Sequence, residues 1–446
     1  MKHLLYILFS LAPLAISAQT VLTLDQCISE ALQHNTTLQN AVLDIEMAKE
    51  QRKEAFTKYL PEIQANVMAF RAFDEMVTGD GTIPMEVAMI NPALAPMIGM
   101  PYSYSEFNRA YSVMGSLTQP LFAGGQIYNG NKLAQLQEEV MRLQLSMKEK
   151  EVRQKVTECY WQIATVQYNL NTIEAAEKQL TTVLGQVEQY VKAGVTTQND
   201  LLRVRLRQQE LASNRLKLEN AERVLLMLLA QQIGRGNEPI AIQPTALQTT
   251  SPMSFYKPSA DAAQGRVELQ LANQGVKAGQ YQLKMERGKL LPTLAVGLMG
   301  FHTGFGGLSD NVKNYMNNTM NNGMVFGTLS VPVTAWWGGA HALKRQKIKL
   351  QQAENDAKNA LEMLTIDIES SWSNLTEAYK QIEIAESSVE QAAENLRMTT
   401  QQYKMGTITL SELLDAETIN RQAQNSLSES RANYFIRLAE YREKTN

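Results

Sequence analysis

The sequence predicts a mostly α-helical chain with a β portion suited to a membrane, built as two copies of one unit. Three observations predict it. Short motifs recur in order along the chain, two stretches of helical apolar spacing are too long for a globule, and four alternating segments interrupt the helices. Each unit reads as helix, strand, strand, long helix, turn, helix.

The repeat carries the organisation. Tyr190-Val-Lys-Ala-Gly194 is echoed by Tyr403-Lys-Met-Gly406, and each is followed by Thr and an acid close to Leu-Leu. Gln119-Pro-Leu-Phe-Ala-Gly-Gly125 is echoed by Val331-Pro-Val-Thr-Ala-Trp-Trp-Gly-Gly339, and Leu60-Pro61 by Leu291-Pro292. The boundaries that follow are a signal segment (1–18), a first repeat (19–232), an equatorial linker (233–261) and a second repeat (262–446). The signal reading rests on Lys2, the apolar run Leu4–Ile16 and the small pair Ser17-Ala18. Gln19 follows, so no cysteine-linked lipid anchor is expected.

In the first repeat, Thr23-Leu-Asp-Gln26 is a capping-box start for a helix running to about Lys58. Pro61 opens an alternating segment that ends near Phe73, and Tyr111, Val113, Gly115 and Leu117 alternate with Ser112, Met114, Ser116 and Thr118. In the second repeat, Leu294, Val296 and Leu298, and then Val325, Leu329, Val331 and Val333, alternate with small or polar residues. Period two with a small or polar opposite face is a half-buried strand. The connections at 78–106 and 303–322, the latter rich in Asn (Asn317, Asn318, Asn321, Asn322), exceed a hairpin turn and read as surface excursions.

Val152, Val156, Cys159, Ile163, Val166, Leu170 and Ile173 step by 4 and 3, as do Leu361, Leu364, Ile368, Leu375, Ile382 and Val389 with their neighbours. That spacing is a coiled-coil seam. Residues 126–189 and 340–402 contain no Pro, and at 1.5 Å per residue each helix spans about 95 Å. Helices over 23–58, 198–232, 262–289 and 408–443 are about half as long, so pairs stacked end to end match one long helix. The expected shape is a rod, with the Pro-bearing 233–261 segment as an irregular belt.

Four strands with one apolar face leave two open edges, which lipid forbids. A membrane sheet of this kind needs other chains to close it, so an oligomer is expected. Trp336 and Trp337, where strand passes into helix, fit an interfacial girdle. The alternative is a soluble sheet cap with both Trp in its core.

Composition narrows the function. The chain is 44% hydrophobic and 20% charged with net charge −3, which offers no basic surface for nucleic acid. The longest apolar run beyond the signal, Val224–Ala230, is far short of the ~20 residues of a spanning helix. Cys27 and Cys159 lie far apart in helical patterns and indicate no disulfide framework. Four His, one of them in the signal, give no shared motif through His34, His302 and His341. No metal-ligand spacing, phosphate loop or Ser-His-Asp arrangement occurs, so neither an enzyme nor a cofactor is expected. Met76, Met85, Met89, Met97 and Met100 suit apolar packing of the first long loop better than soft-metal handling. The Gly pairs at 124–125 and 338–339 read as bends.

These residues resemble the TolC-like family of bacterial outer-membrane efflux proteins, through QPLFAGG (119–125), YVKAGVTTQNDLL (190–202) and YKMGTITLSELLDA (403–416). The resemblance implies a homotrimer whose chains each give four strands to a 12-stranded outer-membrane barrel, with the helices forming a periplasmic α-barrel. It implies docking onto a periplasmic adaptor protein and an inner-membrane pump of the resistance-nodulation-division or ABC type. The function implied is the passive exit duct of a tripartite efflux or type I secretion system. A periplasm-spanning coiled-coil tether or adhesin without a lumen is the alternative.

At the tips, Gly194 and Gly406 permit the left-handed backbone of a helix-ending turn. Thr197 with Asp200, and Thr409 with Glu412, then begin the return helices as capping boxes. Asp415 lies on the face of Glu412. By resemblance Glu412 and Asp415 ring the periplasmic entrance, and Tyr403 and Asp200 form a tether between neighbouring coils. An arginine that the family prototype places after the tip glycine is Ile408 here. Capping alone is the competing role for Asp200 and Glu412.

Overall fold

The computed structural model describes residues 20–76, 81–82, 98, 101–102, 107–236, 238–243, 249–306 and 319–445. The predicted signal segment, most of the 78–106 loop with Met85, Met89, Met97 and Met100, and Asn317 and Asn318 lie outside them. Along the chain run β1 (Thr20–Leu22), α1 (Leu24–His34), α2 (Thr36–Thr57), β2 (Glu62–Met76), the short β3 (Gly81–Thr82) and β4 (Pro101–Tyr102), β5 (Phe107–Ala123), α3 (Gln126–Lys192), α4 (Gln198–Gln232), β6 (Ile240–Ile242), α5 (Ser259–Gly265), α6 (Val267–Gly288), β7 (Thr293–Gly306), β8 (Thr319–Ser330), α7 (Ala335–Lys404) and α8 (Leu410–Thr445). The chain is mostly helical, and one element order occurs twice. α3 and α7, of 67 and 70 residues, are each about 100 Å long. No helix among the described residues is long and apolar enough to cross a membrane.

Two compact units each draw on both repeats. One takes described residues up to Glu46 with Glu139–Gln274 and Asn355–Asn446; the other takes Met47–Glu138 and Gly275–Glu354.

The second unit holds the four-stranded sheet, ordered β2-β5-β7-β8 with every neighbouring pair antiparallel. Pro120 lies within β5, and the register shifts there, between Pro120 and Phe122, as a missing donor requires. Below the sheet the repeat is visible in its ties. Asn131 Nδ2 donates to Ala55 O at 2.9 Å, joining α3 to α2, and Gln346 Nε2 donates to Gln282 Oε1 at 2.9 Å, joining α7 to α6. α2 and α6 both have 22 residues. Gly124 (φ 60°) and Gly288 pack backbone to backbone, so that a Cβ on Gly124 would sit 2.2 Å from Gly288 O. Gly124 and Gly125 are bends as expected, whereas Gly338 and Gly339 lie inside the first turns of α7.

The first unit packs three apolar clusters. One gathers Leu22, Cys27, Val152, Val156, Ile163 and Leu229 around the parallel pair β1–β6. A second lies at the turns, and a third joins Ile368, Leu375 and Ile382 of α7 to Leu427 and Leu438 of α8. Each repeat hangs part of the linker from a tyrosine. Tyr160 Oη donates to Gln243 O at 2.6 Å, and Tyr441 Oη accepts from Lys257 N at 2.9 Å. The 233–261 segment holds β6, a 3-10 turn at Pro252–Phe255 and the start of α5.

Several boundaries differ from the sequence expectation, each for a local reason. The helix expected over 23–58 breaks at Asn35, whose amide donates to Ala31 O and whose Oδ1 accepts from Thr37 N, closing α1 and starting α2. Its Nδ2 donates to Gln232 O at 2.8 Å. The helix expected over 262–289 breaks at Arg266, which turns extended and pairs with Glu268. The loop expected at 303–322 is shorter, because β7 continues to Gly306 and β8 takes up Asn321 and Asn322. Val331 and Val333 fall outside β8. Pro332 cannot donate to a ladder, and Val333 N instead closes a turn onto Val331 O.

Candidate functional site: the helical turns and the sheet faces

The two α-hairpin turns are built alike. At the first, Val195 N donates to Tyr190 O and Gly194 N to Val191 O, with Gly194 at φ 73°. At the second, Thr407 N donates to Gln402 O and Gly406 N to Tyr403 O, with Gly406 at φ 74°. Both are Schellman closures, in which the left-handed glycine lets two orphan carbonyls be satisfied. Tyr190 stands one position earlier relative to its glycine than Tyr403, so the two rings leave their helices in different directions. They meet at 6.5 Å between centroids.

The return helices start as the spacing predicts. Thr197 Oγ1 accepts from Asp200 N at 3.3 Å, and Thr409 Oγ1 accepts from Glu412 N at 3.4 Å. Glu412 Oε2 accepts from Thr409 N at 2.8 Å. Asp200 Oδ2 accepts from Thr196 Oγ1 at 2.6 Å and Thr197 Oγ1 at 2.9 Å. The Thr196 hydroxyl foremost holds the Asp200 carboxyl below the usual carboxylate range. Tyr403 is buried in the same cluster with Leu180, Leu201, Val204, Leu410 and Leu413. Its phenol is pushed up, first by burial and then by Tyr190 and the Asp200 charge. The structure therefore brings Tyr403 and Asp200 into one neighbourhood within the chain, while the Asp200 bonds go to the two threonines. Ile408, just past the second turn, makes an apolar contact with this cluster. Glu412 and Asp415 are both exposed.

One arrangement near the turns was not anticipated. Arg203 and Arg207, one helical turn apart on α4, both reach α8. Arg203 Nη1 donates to Ser411 Oγ at 3.4 Å. Arg207 donates to Thr418 Oγ1, bonds Glu210 at 2.6 Å and lies 3.8 Å from Glu417. Glu417 is 4% exposed, and among the described residues neither of its oxygens accepts a hydrogen bond. Burial pushes its carboxyl up, opposed by Arg207 and Arg421. The available signal was the i, i+4 pair of arginines, but their partners lie about 210 residues away.

The sheet has two chemically distinct faces. Ile63, Val67, Leu298, Val325 and Leu329 share one face, and Ile63 and Val325 are 76% and 78% exposed. The opposite face carries Gln64, Asn66, Ser112, Met114, Met299 and Asn322. There Phe301 and Thr303 are only 6% and 5% exposed. Crowding on the polar face and exposure on the aliphatic one fit a sheet curling with its polar side inward. Tyr111 and His302 close the aliphatic band toward the β2–β5 loop end, with Tyr111 Oη and His302 Nε2 2.9 Å apart. At the other end Trp336 and Trp337 lie in the first turn of α7. Trp336 Nε1 donates to Leu290 O at 3.0 Å, whereas Trp337 is 80% exposed.

A family model described as outer membrane efflux protein matches residues 27–231 and 259–442. Among solved structures, the outer membrane protein VceC from Vibrio cholerae is similar at TM-score 0.75 and 15% identity, over 95% of this chain and 96% of that chain. The Campylobacter jejuni CmeC outer membrane channel gives TM-score 0.74 at 14% identity, over 95% and 85%. The open-state Neisseria gonorrhoeae MtrE outer membrane channel gives 0.68 at 16%, over 95% and 88%. No curated protein matches the chain. At these identities the structural likeness establishes the fold.

Proposed function

The chain belongs to the outer membrane efflux protein family, and from that premise we propose that it is the trimeric exit duct of a tripartite efflux or type I secretion system. In this reading it passively carries substrate from an inner-membrane pump, through a periplasmic adaptor, across the periplasm and the outer membrane. It performs no chemistry of its own.

The observation that carries the reading is the sheet. In the chain, β2 and β8 are its outer strands, and lipid does not tolerate open edges. With four strands running alternately up and down, β2 and β8 are antiparallel to each other, so the β8 of one copy can continue the ladder beside the β2 of the next. Three copies close into 12 strands with the aliphatic face toward lipid and the more polar face toward the lumen. Trp336 and Trp337 then mark the periplasmic edge of the lipid band.

The turns supply the entrance. Glu412 and Asp415 of three copies would set six carboxylates about one axis, which attracts cations and repels anions. Tyr403 and Asp200 are read as the tether that holds neighbouring coils closed. The test is single-channel recording of the purified trimer in planar bilayers. Discrete conductance blocked by divalent cations is expected, with block lost in a Glu412→Ala/Asp415→Ala variant. A protein that inserts but never conducts would be a tether without a lumen; block unchanged in the variant would remove the acidic ring from the account.

A further inference from the structure

We propose that a cleft between α2 and α3, just below the sheet, holds the headgroup of an anionic phospholipid from the periplasmic leaflet of the membrane. The inference rests on the membrane reading of the aliphatic sheet face and assigns that surface a specific lipid partner.

The cleft has a volume of about 630 Å³. Lys49, Arg52, Lys53 and Phe56 line it from α2, at the i, i+3, i+4, i+7 spacing of one helix face. Tyr128 and Lys132 line it from α3, again one turn apart. On both helices the aromatic residue is nearer the sheet and the cations are farther from it. Tyr59, which also lines the cleft, packs against Phe56 at a tilt of 57°, with 5.7 Å between centroids. Its carbonyl accepts from Gln119 Nε2 at 3.0 Å. Gln119 is the register partner of Val296, on the aliphatic face. The aromatic end of the cleft therefore continues the face read as lipid-facing. A lipid in that leaflet has the same polarity, with its chains toward the sheet and its phosphate toward the cations.

The charge is also one-sided. Four cations line the cleft against the single carboxylate of Glu138, which Arg52 bonds at 3.1 Å. Lys53 bonds Glu50 at 2.7 Å with both side chains largely exposed, an arrangement worth little in water. Among the described residues Lys49 and Lys132 form no ion pair; Lys132 Nζ lies 3.4 Å from Gln135 Oε1 and 6.0 Å from the Tyr128 centroid. Phe56 and Tyr128 remain more than half exposed, as interfacial aromatics do. Basic pockets beside apolar surface at this depth recognise lipid phosphate.

The test uses the full-length trimer, reconstituted in discs of phosphatidylcholine mixed with phosphatidylglycerol and then examined by native mass spectrometry for retained lipid. Wild type is expected to retain phosphatidylglycerol preferentially. Lys49→Gln/Lys53→Gln/Lys132→Gln should lower that preference about tenfold or more, while Lys178→Gln, on an exposed helix face elsewhere, leaves it intact. Equal retention of the two lipids by wild type overturns the proposal. So does displacement of the lipid by an equal concentration of inorganic phosphate, which would make the cleft a simple anion site. Failure of a Lys132→Cys variant to react with a maleimide in the assembled trimer also overturns it, because a neighbouring copy would then cover the cleft. Conductance recorded on the same preparation separates the failures: normal conductance without lipid preference sinks the lipid site alone, and absent conductance sinks the duct reading on which it rests.

Discussion

Arg207 on α4 lies 3.8 Å from Glu417 on α8 and joins the two α-hairpins through a carboxylate that is 4% exposed. Removing one partner of a buried pair leaves an uncompensated charge, whereas replacing both by apolar groups is often neutral or stabilising. Arg207→Met alone should therefore destabilise this region by about 3 kcal/mol, and Arg207→Met/Glu417→Leu should recover most of that loss. Hydrogen exchange of the first turns of α8 reads the local stability. Additive effects in the double variant would mean that the two residues are not coupled.

The same carboxylate gives a pH dependence. Burial raises its pKa above the ordinary 4.5, so the folded state holds the proton more readily than the unfolded chain. The stabilisation is complete below about 4.5 and is lost as pH rises through the folded value. Glu417→Gln, which mimics the protonated form and leaves Arg207 its bond to Glu210, should protect α8 from exchange more than wild type at neutral pH and equally at about pH 4. A wild type that is less protected at acid pH, relative to Glu417→Gln, reverses the sign and defeats the argument.

Tyr403 is the cleaner probe of the proposed tether. Asp200 also caps α4 through Thr197, so Asp200→Ala costs about 1 kcal/mol of helix stability whatever else it does. Tyr403→Phe removes only a hydroxyl. Tyr403→Phe is expected to raise leak conductance of the resting channel several-fold, with Asp200→Asn doing likewise while keeping its cap. Leak unchanged in both variants leaves Asp200 a capping residue and Tyr403 a core one.

Of the four tryptophans, Trp161 and Trp372 lie in helices of the first unit and give an unquenched background, against which Trp336 and Trp337 should differ in the membrane. Trp336 is fastened to Leu290 O, while Trp337 is exposed. Brominated lipids should quench Trp337 fluorescence strongly in a Trp336→Phe variant and more weakly report Trp336 in a Trp337→Phe variant. Absence of quenching from either places both outside the lipid.

The helices, the four strands and both turns were legible because their signals are local: 3/4 spacing, period two, and a hydroxyl followed three residues later by an acid. The departures are where a distant residue decides. Asn35 reads as one more position of a helix until Gln232, 197 residues away, takes its side-chain amide. Arg207 and Glu417 read as ordinary surface charges until the two hairpins pack. Cys27 and Cys159 lie in separate helical patterns, yet they share one core as free thiols, pushed up to about 12 and about 11, chiefly by burial. The two chemical faces of the sheet were visible in the alternation of Val113 and Met114, because a strand reports its sides directly.

A sheet with lipid on one face has to be completed by other copies of itself. The most direct test of that closure is disulfide trapping between the outer edges of β2 and β8, with cysteines scanned over Gln64, Asn66 and Met68 against Met320, Asn322 and Met324 in a chain whose Cys27 and Cys159 are replaced by Ala. Denaturing electrophoresis of oxidised membranes should show a covalent ring of three chains at one register, with conductance retained. Monomer at every register, or an open ladder of unlimited length, would contradict the closed barrel and the duct built upon it.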